Sequence, residues 1–402
     1  MIAVVAQYSL NFLPGENGRF TDLASRFAAI DRTVLLTSDF SHSLKKKKEP
    51  VCLPEDYEVV LIPTPPYSKN VSLSRLHSCS VFAKNVRKYL ETLEYLKLVY
   101  CAVPTPDAGK EVEKFCKKRG IPFVLDIQDL WPDAFYMALN IPIVSDILFA
   151  PMKRTADTLY RSTENLVAVS QTYIDRATKA VGHTTKREQV AFLGNSLKRF
   201  DEAAQAAPGA SEADSFTVGY IGTLSYSYDL PIVIDAIARL QEKGKKLRFL
   251  VMGNGPLRGS FENYARQRGI QAEFTGRLAY EEMVKRLVRC QVAVNPIVKN
   301  SAGSIINKVG DYAAAGLPVV NTQECLEYRT LVEEYQCGIN CPVGQWQPVA
   351  EALEKLMEEE NLRREMGKNA RRMAEDLFDR DKTYDRITAF GKDIYEGIGN
   401  QQ

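Results

Sequence analysis

Short apolar, β-branched runs alternate with amphipathic helical stretches along almost the whole chain. Residues 2–7, 33–38, 58–62, 98–103, 122–127, 165–169 and 189–193 read as strands, and 17–29, 80–96, 109–119 and 171–180 as helices. Continuously apolar strands spaced by helices are the pattern of βαβ units, whose parallel sheet is covered on both faces. Residues 201–214 are small and polar, break the alternation and read as a linker. The pattern then restarts, with strands at 216–222, 247–253, 272–275, 291–295 and 317–320 and helices at 231–241, 280–289, 307–315, 346–376 and 380–397. It predicts an α/β fold of two doubly wound, Rossmann-like lobes facing a cleft. The first is expected over 1–200 and the second over 215–380, with a last helix at 381–402 returning to the first lobe. In such folds ligands bind outside the carboxyl ends of the strands.

Composition narrows the function. The 402 residues suit two domains, and 52 basic against 50 acidic side chains argue against a protein built to wrap nucleic acid. The balance is uneven along the chain: residues 1–200 hold 27 basic and 21 acidic side chains, the remainder 25 and 29. Residues 59–90 contain no carboxylate but carry Lys69, Arg75, His77, Lys84, Arg87 and Lys88, with Lys45 to Lys48 nearby. A basic, partly apolar face of this kind suits peripheral contact with an anionic lipid surface. No apolar run approaches the ~18–20 residues that span a bilayer, and the start lacks the basic region of a signal peptide, so a cytoplasmic protein is expected. The eight cysteines are scattered and expected to be reduced, and three histidines nearly exclude a multi-histidine metal centre.

The chemistry-bearing residues gather at predicted strand ends. In the second half, Gly222-Thr223, Gly253-Asn254-Gly255-Pro256 and Gly276-Arg277 each follow a strand. Glycine lets backbone approach a ligand, and Arg277 suits a phosphate or a base. The dinucleotide fingerprint is absent, because Arg258 stands where its third glycine belongs. A polar loop containing Ser304 runs into Asn307, Lys308 and Asp311, which are expected to share one helix end. Amides and Lys308 would meet an anion there, and Asp311 a vicinal diol. In the first half, Asp126-Ile-Gln128-Asp129-Leu-Trp131-Pro-Asp133 ends a strand, with Asp126 and Gln128 on one face, where a carboxylate can serve as general base or bind a sugar hydroxyl. Gly15, Asn17, Gly18 and Arg19 form a loop after the first strand that opens a helix.

The second half resembles the retaining glycosyltransferases of family four, which have the GT-B fold. The resemblance rests on Gly222-Thr-Leu, Met252-Gly-Asn-Gly-Pro, Phe274-Thr-Gly-Arg-Leu and Asn307-Lys-Val-Gly-Asp-Tyr-Ala-Ala-Ala-Gly-Leu-Pro-Val-Val. Asp126-Ile-Gln-Asp-Leu-Trp-Pro-Asp is similar to a motif of members that build capsule, exopolysaccharide or O-antigen. The resemblance implies a nucleotide-diphosphate sugar, UDP-linked, bound by the second lobe. It implies a glycan or polyprenyl-diphosphate-linked acceptor held by the first, no cofactor, no metal and retention at the anomeric carbon. Carried over, Asp311 holds the ribose, and Lys308 the diphosphate with Gly222 and Thr223 close by, while Gly253, Asn254, Arg277, Ser304 and Asn307 complete the donor site. Lys308, Asp126 and Asp129 are the catalytic candidates, and Gly15, Asn17, Gly18 and Arg19 the acceptor-binding ones. The sequence departs from the family at Gly303, where the first of two acids belongs, and at Thr223 and Tyr228, where two cations belong. The expected protein is a cytoplasmic hexosyltransferase of cell-surface polysaccharide synthesis in peripheral contact with a membrane. A nucleotide-sugar epimerase of the same fold and a non-catalytic sugar-nucleotide-binding protein are the alternatives.

Overall fold

The structure, a computed structural model, describes residues 1–14, 16, 18–70, 72–132, 142–181, 187–207, 216–301 and 304–397. Two compact units result: Met1–Phe192 together with Lys382–Gln402, and Leu193–Asp381.

The strands of the first unit are β1 (Ile2–Ala6), β2 (Thr33–Ser38), β3 (Phe40–Ser41), β4 (Lys46–Lys47), β5 (Glu58–Ile62), β6 (Leu98–Val103), β7 (Phe123–Ile127), β8 (Asn165–Ala168) and β9 (Arg187–Val190). Seven of them form a parallel sheet in the order β5-β2-β1-β6-β7-β8-β9, while β3 and β4 make a small antiparallel ribbon. The alternation of side chains explains the runs of apolar residues. Ala3 and Val5 of β1 pack with Phe82, Val86, Val112 and Leu159 on one face, and Ile2 and Val4 pack with Leu23, Phe27 and Tyr384 on the other. The helix Leu73–Leu90 starts earlier than the periodicity predicts, because the Ser72 hydroxyl accepts from the Arg75 amide at 3.2 Å and caps it. The last helix, Arg380–Glu396, sends Tyr384, Ile387 and Ile394 into the core of this first unit.

The second unit contains β10 (Phe216–Ile221), β11 (Leu247–Met252), β12 (Ala272–Gly276), β13 (Val292–Asn295), β14 (Val319–Asn321) and β15 (Gly338–Asn340), parallel in the order β12-β11-β10-β13-β14-β15. Strand order reverses beside β10, so the crevice for a ligand opens at the carboxyl ends of β10 and β13.

Two expectations change. The predicted linker 201–214 is helical in its first part, since Leu197–Gln205 is a helix capped by Ser196 and held by Arg371, whose Nη1 and Nη2 lie 2.6 and 2.8 Å from the Asp201 carboxylate. Residues 208–214 lie outside the described residues. The expected helix 346–376 is two, Trp346–Glu358 and Glu360–Met373, because Glu359 leaves helical geometry at ψ 75°. The Cys337–Cys341 spacing is that of an edge strand. β15 runs between the two thiols, and Cys337 faces Met373 at 3.8 Å while Cys341 donates to the Pro348 carbonyl at 3.5 Å. All eight cysteines are unbridged. Among the described residues no helix is long and apolar enough to cross a membrane.

Candidate functional site

At the carboxyl ends of β10, β11 and β12 the backbone zips into a shallow cradle. The Gly222 amide donates to the Met252 carbonyl, the Leu224 amide to Asn254 and the Leu257 amide to Leu224, each at 3.0 Å. The packing leaves no room for side chains. A Cβ on Gly253 would stand 1.8 Å from the Gly222 carbonyl oxygen, and Gly222 itself holds φ +131°, which L side chains rarely adopt. Gly253→Ala is therefore expected to force these two turns apart and lower stability by about 1–3 kcal/mol. Thermal melting of the variant beside wild type checks it; an unchanged melting temperature would count against the close packing of the two turns.

Above this cradle lies a pocket of about 680 Å³ lined by Gly222, Thr223, Gly253, Asn254, Arg277, Asn307, Lys308 and Asp311, together with apolar Ile221, Met252, Leu278 and Met283. Eight of the nine residues expected to bind the donor thus line one cavity. Ser304, the ninth, is outside its lining; its carbonyl accepts from Gln323 Nε2 at 2.6 Å. Gly303 lies outside the described residues. The Gly222 amide donates to Met252 while Gly222 itself lines the pocket, and the Thr223 amide has no acceptor among the described residues.

Lys308 is the most unusual group in the pocket. The residue is 9% exposed and its Nζ has no hydrogen-bond partner among the described residues. The ammonium sits 4.0 Å from the Tyr220 ring centroid and 3.8 Å from that of Tyr228, and 3.1 Å from where a Gly222 Cβ would be. Two π faces offset part of its lost hydration, yet desolvation still pushes its pKa well below the ordinary lysine value. Tyr228 thus offers this lysine a π face.

Asp311 lies one turn further along the same helix. Its Oδ1 accepts from Asn195 Nδ2 at 2.8 Å and from the Tyr280 hydroxyl at 3.1 Å, and neither bond uses Oδ2. Desolvation raises its pKa, opposed by these two donors and by the Arg380 charge. Arg277 is exposed at the rim and makes no ion pair among the described residues. Sequence reasoning missed Asn195 and Tyr280, which hold Asp311, and Tyr220, which flanks Lys308. A tyrosine on a strand and an asparagine in a distant loop carry no motif.

The carboxylates of the first unit behave differently. Asp126 is 0% exposed, and its oxygens accept from Arg19 Nε at 3.2 Å, Arg19 Nη2 at 3.3 Å, the Tyr100 hydroxyl at 2.7 Å and Gln128 Nε2 at 2.5 Å. A carboxylate with four donors and no exposure is an internal strut, so the geometry counts against its expected role as general base. Arg19, expected to bind acceptor, is likewise turned inward at 8% exposure, with Tyr384 beneath its guanidinium at 5.3 Å. Asp129 accepts from Trp131 Nε1 at 3.3 Å and remains partly exposed. Gly18 precedes the helix Arg19–Ala28 without a side-chain cap, and Gly15, Asn17 and Asp133 lie outside the described residues.

Comparison with known proteins places this geometry. Residues 201–373 match the family model of glycosyl transferases group 1. The O-antigen chain mannosyltransferase C of Escherichia coli is 25% identical over 247 residues, covering 59% of this chain and 62% of that protein, so the match spans less than two thirds of the relative. The solved structure of sucrose-phosphate synthase from Thermosynechococcus elongatus superposes with a TM-score of 0.74 at 14% identity, covering 98% of this chain and 99% of the other. That of Anabaena HepE in complex with UDP gives 0.67 at 17% identity, covering 96% and 98%. The chain therefore has the fold of the GT-B glycosyltransferases, and within it residues 201–373 resemble the glycosyl transferases group 1 family.

Proposed function

We propose that this protein is a retaining glycosyltransferase that moves a hexosyl group from a UDP-linked sugar to a glycan or polyprenyl-diphosphate-linked acceptor in cell-surface polysaccharide synthesis. The single observation that carries the reading is Lys308: a buried lysine amine with no hydrogen-bond partner and no counter-ion among the described residues, in the pocket above a glycine cradle. A buried unpaired cation is costly to keep, and a diphosphate is the group that would reward it. In this reading Asp311 Oδ2 takes the ribose hydroxyls and the apolar wall of Met252, Leu278 and Met283 faces the base. As the bond to the anomeric carbon breaks, charge grows on the leaving diphosphate, and Lys308 and Arg277 stabilise it. The acceptor hydroxyl attacks on the same face and passes its proton to the departing phosphate oxygen. With Asp126 locked away, Asp129 is the remaining carboxylate candidate in the first unit.

The test is a panel of nucleotide sugars screened by thermal shift, followed by transfer assays with the anomeric configuration of the product read by proton NMR. Hydrolysis or epimerisation without transfer would overturn the reading. A second expectation concerns protons. The folded pKa of Lys308 is depressed, so above it the empty pocket holds a neutral amine, and a bound diphosphate restores the charge. Binding is then accompanied by proton uptake, and affinity falls as pH rises through that range. Calorimetry of UDP binding in Tris and in phosphate buffer should give different heats; equal heats throughout would contradict this proton linkage.

A further inference from the structure

A second group of cations gathers in the first unit, where the segments after β1, β2, β5 and β7 meet. Arg75 lies in the first turn of Leu73–Leu90, with its guanidinium 4.5 Å above the Trp131 ring and 5.4 Å from the Tyr8 ring. Its Nε donates to the Tyr8 hydroxyl at 3.2 Å and its Nη1 to the Asn70 carbonyl at 2.7 Å, which leaves Nη2 of the fork unused by either bond. Lys45, held at φ +55° in the turn between β3 and β4, donates to Asn70 Oδ1 at 2.6 Å and lies 4.6 Å over the Tyr67 ring. His42 lies between them, bonded to the Tyr67 hydroxyl at 2.5 Å and stacked 4.9 Å from Tyr8.

Neither Arg75 nor Lys45 forms an ion pair among the described residues. This is unlike Arg87 on the same helix, which pairs with Glu111 at 2.9 Å and Glu91 at 3.4 Å. Positive potential therefore accumulates without a counter-charge. Burial and the charges of Arg75 and Lys45 together hold the His42 pKa down to about 4. Aromatic rings floor the cluster, and Tyr8 keeps a partly exposed edge. A fixed guanidinium plane with more N–H groups than its contacts to Tyr8, Asn70 and Tyr67 use, a lysine beside it and an aromatic surface next to both is what recognises a phosphate carried beside a sugar ring.

We propose that this cluster seats a phosphate of the acceptor, with Arg75 Nη2 and Lys45 Nζ on its oxygens and Tyr8 beside the adjoining sugar. The inference rests on reading the first unit as the acceptor half. The shared chemistry is a glycosyl phosphate, either free or carried on a polyprenyl lipid.

The experiment uses the full chain carrying Lys308→Met, so that the donor pocket does not contribute, and titrates inorganic pyrophosphate by calorimetry. Binding is expected, and adding Arg75→Ala with Lys45→Ala should weaken it at least tenfold, with Arg75→Lys intermediate. Undiminished binding in the triple variant, or none to Lys308→Met, overturns the proposal. Glucose 1-phosphate and neutral phosphatidylcholine vesicles with and without polyprenyl phosphate then separate the sources: competition by the first indicates a free acceptor, and sedimentation only with loaded vesicles a lipid-linked one. If neither binds, the proposal fails. UDP binding to the Arg75→Ala, Lys45→Ala chain with Lys308 intact is the folding control and should match wild type. Failure of UDP to bind wild type sinks the donor reading instead, so the two failures are distinguishable.

Discussion

Lys308→Met is expected to reduce sugar transfer by on the order of 10²–10³-fold and, at the same time, to make the unliganded protein more stable. The two effects have one cause. The native lysine is buried, its Nζ lacks a hydrogen-bond partner among the described residues, and the Tyr220 and Tyr228 rings face it. Met fills nearly the same volume without a charge to desolvate, so the empty pocket gains about 1–2 kcal/mol, or roughly 2–8 °C in melting temperature for a unit of this size. UDP should stabilise the variant far less than wild type, and the two melting curves should cross as nucleotide is added. The sign with pH follows from the depressed folded pKa. Between that value and the unfolded lysine value near 10.4, the unfolded chain binds more protons, so wild-type stability rises with pH. The variant lacks this contribution, and its advantage should be largest below the folded pKa. A destabilised Lys308→Met protein would refute the account.

Asp126→Ala is expected to cost about 3–5 kcal/mol, because removing one member of a buried pair leaves the other charge uncompensated. Arg19 would lose both of its bonds to the carboxylate, and the Tyr100 hydroxyl and Gln128 amide would lose their acceptor. A general base would give a different result: normal melting with lost turnover. Urea denaturation of the first unit, followed by near-ultraviolet circular dichroism, separates the two. Replacing both partners, Arg19→Met with Asp126→Leu, should recover much of the loss.

The periodicity of apolar residues carried most of the architecture. β1, β2, β5 and β6 fall where β-branched runs predict them, because a strand buried on both faces admits little else. What failed was short or polar. β15 has three residues, and the linker reading of 201–214 mistook an alanine-rich helix for flexible chain because Asp201 finds its Arg371 partner far along the sequence. The donor pocket was legible through its glycines and through Lys308 and Asp311, since local spacing fixes which residues end a strand or open a helix. The fate of Asp126 was not legible. Whether a carboxylate meets substrate or an arginine depends on the direction taken by Arg19, 107 positions away. The same limit hid how Arg75 and Lys45, both visible as basic positions, meet Tyr8 and Trp131 from separate segments.

The return of Arg380–Glu396 to the first unit has a consequence for biogenesis. On the ribosome the second unit, Leu193–Asp381, is complete while the first still lacks Tyr384, Ile387 and Ile394. The half made last can thus mature first, reversing the usual amino-terminal-first order. Until the final turns emerge, the surface around Leu23, Phe27 and Tyr100 stays uncovered. A stop codon a few turns early would then leave that apolar surface exposed for good, with the glycine-cradle pocket of the second unit already intact.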